Sequence, residues 1–209
     1  MTLRGVDWAV VLGASGIGGA ILLGCIIFTG DTPPLTYLRL ALLALVAAAA
    51  FILDEPAAAA VQATPTTLLR RTAVRAVALG VPVAVWVLGL LAIEQRAAPT
   101  PFLALLLEGA GAVAVAVALA ACLRLTGNHE PGDIIASVCG AAILTVLLLD
   151  PLPRSLLLFP TAEGWAPSSA LWASLILMST LVTIGVSQDR PHRQRASRPG
   201  LKRVSIRKT

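Results

Sequence analysis

Two charged residues stand inside long apolar runs and are the first candidates for chemistry: Arg39 and Glu108. An ionisable side chain at membrane depth is costly, so it pairs with an opposite charge or lines a path for ions or substrate. Arg39 lies about four residues, and Glu108 about seven, from the outer ends of their runs, roughly 6 and 10 Å deep at 1.5 Å of helical rise per residue. The two depths allow an ion pair. Arg39 is long enough to reach back to the interface, whereas Glu108 is too short, so the carboxylate is the better candidate for a proton, ion or substrate contact. A purely structural pair is the plainer reading. Cys25, Cys122 and Cys139 are odd in number, lack C-x-x-C spacing and lie in apolar runs; they are expected to be small buried hydrophobes, not metal ligands or a disulfide framework. No cluster of His, Asp or Cys exists to build a catalytic or metal centre, so no catalytic residue and no metal ligand is assigned.

The stretch Val11-Leu12-Gly13-Ala14-Ser15-Gly16-Ile17-Gly18-Gly19 looks like the glycine-rich nucleotide loop of short-chain dehydrogenases. That fingerprint must follow a strand and open a helix, and these glycines sit inside an uncharged apolar run. Helix packing through small residues at four-residue spacing, Ser15 with Gly19 and Gly16 with Ala20 and Gly24, explains them better. Gly13 to Gly16 also matches the G-x-S-G of intramembrane serine proteases, which need a histidine base; the two histidines, His129 and His192, lie outside the runs. No G-x-x-x-x-G-K-[ST] phosphate loop is present, so ATP chemistry, if any, belongs to a partner, and this chain is expected to hold no cofactor and to be no enzyme.

The elements that must position these residues follow from composition. Of 209 residues, 57% are hydrophobic and 13% charged, against about 25% charged in an average soluble domain. The apolar residues form runs near the roughly 20 residues that cross a hydrocarbon core about 30 Å thick. Runs such as Ala110 to Ala121 are apolar throughout, without the alternation of a barrel strand. An all-α integral membrane protein of about six spans is predicted: Trp8 to Thr29, Leu35 to Leu53, Thr72 to Ile93 with a kink at Pro82, Pro101 to Leu123, Ile134 to Leu149, and Ser168 to Ser187. The fifth is short and runs into Asp150, Pro151, Pro153 and Pro160, which reads as a broken or re-entrant helix. The first run is too long for a signal-peptide core and is expected to remain in the mature chain. Residues 1–187 form the membrane domain, and 188–209 a basic tail expected to lie against anionic headgroups. With the N-terminus inside, thirteen Lys and Arg fall on the cytoplasmic side and three outside, which places both termini in the cytoplasm.

The segment between the second and third spans opens with Asp54-Glu55-Pro56, continues through four alanines, restarts at Thr64-Pro65-Thr66 and ends in Arg70-Arg71. Acids and prolines of this kind open helices, so a short cytoplasmic helix, a turn and a second helix start are expected. This segment resembles the loop after the second span in small type-two ABC exporter permeases of actinobacteria. The resemblance implies that the loop carries a coupling helix docking on a separate ATPase subunit, with Asp54, Glu55, Pro56, Thr64, Pro65, Thr66, Arg70 and Arg71 at the partner surface. It also implies six spans with both ends cytoplasmic, a broken hairpin outside between the fifth and sixth, a bacterial plasma-membrane location, and assembly with a second copy or a sister permease. ATP and magnesium would belong to the partner; no nucleic-acid partner is expected. Two other readings compete: an ion-coupled secondary transporter subunit that uses Glu108, and a structural membrane subunit of a larger complex.

Overall fold

In the computed structural model, residues 7–28, 35–52, 54, 75, 77–96, 101–126, 130–148, 160 and 165–187 are described. They form six α-helices in chain order: α1 (Trp8–Phe28), α2 (Leu35–Phe51), α3 (Gly80–Glu94), α4 (Phe102–Leu125), α5 (Pro131–Leu148) and α6 (Trp165–Ser187), with a 3-10 turn at Val77–Leu79 and no strand among the described residues. Four stretches are long and apolar enough to cross a membrane: α1, the 3-10 turn with α3, α4 and α6. Helix α2 has 17 residues and α5 has 18.

Consecutive helices alternate in direction. Val11 of α1, Ile52 at the end of α2 and Ala78 before α3 share one small cluster. At the other end, Arg39 of α2 meets Glu108 of α4. Helix α6 begins beside the start of α4, where Phe102 and Trp165 border one open groove, and so ends on the side where α1 begins.

Helix α2, too short to count among those four stretches, is the hub. Helix α2 packs against α1, α3, α4 and α5, and Leu38, Leu42, Leu45, Val46 and most of its alanine run are buried. A helix apolar on all sides suits a position enclosed by others, and the alanines from Ala47 to Ala50 let neighbours approach on more than one side. Helix α6 is the opposite case. It packs chiefly on α4, only 11% of its most apolar window is buried, and Leu177, Met178 and Leu181 face outward. Outward leucines carry no penalty in lipid, which is as apolar as they are.

Three sequence expectations are refined. Pro82 falls in the first turn of α3, just after the 3-10 turn at Val77–Leu79. Its missing N–H would have bonded Ala78, which belongs to that tighter turn, so the proline marks the change from 3-10 to α geometry. Within α1 the packing face is Val11, Ser15, Gly18, Leu22 and Cys25. A Cβ on Gly18 would stand 2.8 Å from Leu45, and one on Gly19, four residues after the buried Ser15, would meet Val85 of α3 at 3.5 Å; Gly16 and Gly24 have nothing within 4 Å and Ala20 is exposed, so the Gly16-Ala20-Gly24 series meets no neighbour among the described residues. Finally, α5 starts at Pro131, earlier than expected, and runs as one helix to Leu148. The Asp150 to Phe159 break, the 55–71 segment apart from its edge residue Asp54, and the basic tail lie outside the described residues.

Candidate functional site

Arg39 and Glu108 meet where α2 and α4 both begin. Arg39 Nε donates to Glu108 Oε1 at 3.1 Å, and its Nη2 donates to the Pro160 carbonyl at 2.8 Å. One guanidinium therefore ties α2, α4 and the residue five positions before α6. The fork geometry of arginine permits this, since its donors diverge in one plane. Glu108 is 1% exposed against 17% for the Arg39 side chain. Its second oxygen, Oε2, is buried and has no hydrogen-bond partner among the described residues.

Two glycines make room beside that carboxylate. A Cβ on Gly109 would overlap the indole of Trp86 from α3, and one on Gly111 would overlap the ring of Trp172 from α6. Residues two apart on a helix face nearly opposite ways, so Glu108-Gly109-Ala110-Gly111 clears both flanks of α4 for a tryptophan. The Trp86 Nε1 donates to the Leu105 carbonyl at 3.3 Å, which satisfies its buried N–H. Trp86, Trp172, Gly109 and Gly111 do not stand out in the sequence as site residues. The usable signal is a Gly-x-Gly directly after the one acidic residue of a span.

A second polar cluster lies at the other end of α2, roughly 22 Å away by helical rise. Asp54 Oδ1 accepts from the Gly132 N–H at 2.7 Å, and the Asp54 carbonyl accepts from Arg75 Nη1 at 2.6 Å. Asp54 thus caps α5 from a different element, satisfying one of the free N–H groups that every helix start exposes. A Cβ on Gly132 would stand 2.5 Å from Asp54 Oδ2 and 2.6 Å from Phe51, so any larger residue here must displace the Asp54 side chain from this position. Burial pushes the Asp54 carboxyl up to about 6; the Gly132 N–H bond opposes this, the nearby Asp133 and Glu130 carboxylates add to it, and Arg124 opposes it.

The sequence-derived site residues are therefore in three groups. Arg39 and Glu108 are brought together. Asp54 is present, but its carboxylate turns inward to α5. Glu55, Pro56, Thr64, Pro65, Thr66, Arg70 and Arg71 lie outside the described residues. No group of three or more His, Cys, Asp or Glu able to hold a metal exists among the described residues; Cys25 and Cys139 are buried in the main core. In comparisons with protein-family models, curated proteins and solved structures, the chain has no match.

Proposed function

We propose that this chain is the membrane-spanning permease subunit of an ATP-driven exporter, with six spans, both termini cytoplasmic, in a bacterial plasma membrane. ATP is hydrolysed on a separate ATPase subunit, and substrate moves by alternating access between two permease copies or between this chain and a sister permease. The segment from Asp54 to Arg71 is the coupling element.

One observation carries the reading beyond the likeness of that segment to exporter permeases. The segment is anchored to the hub at its start and again just beyond its end: Asp54 follows α2 and caps α5 through Gly132, while Arg75, four residues after Arg71, returns to the Asp54 carbonyl. A push on the intervening chain is thereby delivered to α2 and α5 together, and α2 also packs against α1, α3 and α4. Asp54 is then a positioning residue inside the permease, and the contact with the ATPase falls to the residues after it. The assembly is tested by purifying the tagged chain in mild detergent from its own membrane and asking whether an ATPase comes with it. Co-purification with substrate-stimulated ATP hydrolysis is expected; a chain that purifies without any ATPase under conditions that keep it folded overturns the proposal.

A further inference from the structure

The buried carboxylate at the Arg39 end is half used. Oε1 of Glu108 takes the Arg39 Nε–H, while Oε2 is buried and lacks a donor among the described residues. A carboxylate oxygen at membrane depth without a donor forgoes both hydration and protein hydrogen bonds, a costly state for a charge. Several ligands would relieve it, and the surroundings select among them. A metal ion such as sodium or calcium needs several oxygen ligands around it. Here one carboxylate oxygen is free, the nearby Pro160 carbonyl is already taken by Arg39, and the described residues hold no cluster of metal-binding side chains. A proton needs one oxygen only.

We propose that Glu108 is a proton-binding site, and that its protonation opens the Arg39 clasp joining α2, α4 and the chain entering α6. A proton on Glu108 removes the negative charge that holds the guanidinium, so the ion pair falls to a hydrogen bond from the Arg39 cation to a neutral carboxyl and the Coulomb attraction between two full charges is lost. Arg39 is the one charged side chain facing Glu108 among the described residues. On α3 the facing side chain is Trp86, and Glu94 is exposed at the helix end. Helices α1 and α6 carry no charged residue, and the acids of α5 and its approach, Glu130 and Asp133, lie at the opposite end with Asp54. The partial exposure of Arg39 gives the proton its route from the same end. A role in transport follows naturally, because loosening the clasp removes the polar tie between the hub and the α4–α6 pair and leaves apolar packing between them, but the site exists whether or not an ATPase drives the chain.

The test therefore uses the full chain alone, purified in lipid nanodiscs and treated with dicyclohexylcarbodiimide, an apolar reagent that enters membrane sites. A protonated carboxyl adds across the C=N bond: its oxygen bonds the central carbon, its proton passes to nitrogen, and rearrangement to the N-acylurea retains the whole reagent with no leaving group. Labelling is mapped by peptide mass over a pH series. The expected result is an adduct at Glu108 whose yield falls about tenfold per pH unit beyond its midpoint, and rises severalfold at fixed pH in Arg39→Gln. Absence of the adduct at Glu108 while the protein stays folded overturns the proposal, as does a yield indifferent to Arg39→Gln. Because the site is read from the wild-type peptide, the result stands even where Glu108→Gln does not fold.

Discussion

The two ends of α2 use acidic residues in opposite ways. Glu108 meets a full positive charge and is almost completely buried; Asp54 meets the partial positive charge of a helix start and remains half-buried. At the Arg39 end the partner is a side chain, so removing either member strands a charge in an apolar place. At the Asp54 end the partner is a backbone N–H that water can replace. The same residue class is thus a fixed tie in one place and an adjustable cap in the other, and the difference comes from the depth and polarity of what surrounds it.

Removing the two acids separately should give the largest difference between the two ends. Glu108→Ala leaves Arg39 facing a buried void, and breaking a buried pair from one side costs about 3–5 kcal/mol; the detergent-solubilised protein should lose most of its thermal stability. The double variant Arg39→Glu with Glu108→Arg should recover part of that loss, with a non-additive coupling in a double-mutant cycle. Additive effects would remove the pair as a unit. Asp54→Ala should cost only about 1 kcal/mol, the usual value of a lost helix cap. Equal losses at the two ends would contradict the contrast.

The next effect is steric. Gly109→Ala puts a methyl group into the buried Trp86 ring, whereas Gly132→Ala puts one against the end of the Asp54 side chain and the edge of Phe51. Trp86 is 4% exposed and hydrogen-bonded to Leu105, so it cannot swing aside without losing its partner, and overpacking of this kind costs about 1–3 kcal/mol. Asp54 can turn toward water. The melting temperature should therefore fall further for Gly109→Ala than for Gly132→Ala, and the reverse order would mean that the Asp54 end is the more rigid of the two.

Much of this was legible from the chain, for identifiable reasons. Uncharged apolar runs of near-membrane length mark helices without any need to know their partners, and the similar depths of Arg39 and Glu108 allowed the pair because charges in lipid have few alternatives. Which face of each helix turns inward was not legible. In water an amphipathic stripe would show it, but outward Leu12, Ile17 and Leu177 are as apolar as inward Leu22 and Leu45, and only size distinguishes Gly18, Gly109 and Gly111 as contact points. For that reason Gly16, Ala20 and Gly24 looked like an interface, yet they meet no neighbour among the described residues. The inward turn of Asp54 was hidden too, because a cap supplied by a distant element leaves no local spacing in the sequence.

A further distinction separates capping from coupling. If Asp54 only caps α5, Asp54→Ala lowers stability while ATP hydrolysis per folded complex is unchanged. If the anchored segment passes motion to α5, the same variant weakens the response of hydrolysis to substrate, and Asp54→Asn, which retains an acceptor for the Gly132 N–H, restores it. The comparison requires co-purified ATPase and hydrolysis rates normalised to folded chain. Loss of response in both variants alike would assign the effect to the charge of Asp54 and not to its hydrogen bond.

The smallest expected effect is a pH dependence confined to the Asp54 end. The carboxyl stands at about 6 in the folded chain, against an ordinary value of 3.8. Because the folded form holds this proton more tightly than the unfolded form, the folded chain carries more protons between those two values, and stability falls as pH rises through that window. Above about 6 the contribution is level, since Asp54 is then ionised in both forms. Half-exposure and solvent screening limit the effect to something on the order of 1 kcal/mol. Asp54→Asn keeps the acceptor for the Gly132 N–H while removing the titration, so the difference in melting temperature between wild type and this variant should grow in favour of Asn from about pH 4 to pH 6 and then stop changing. A difference that is flat across the window would mean that water reaches Asp54 freely, and the cap at this end would then be as loosely held as an ordinary surface loop.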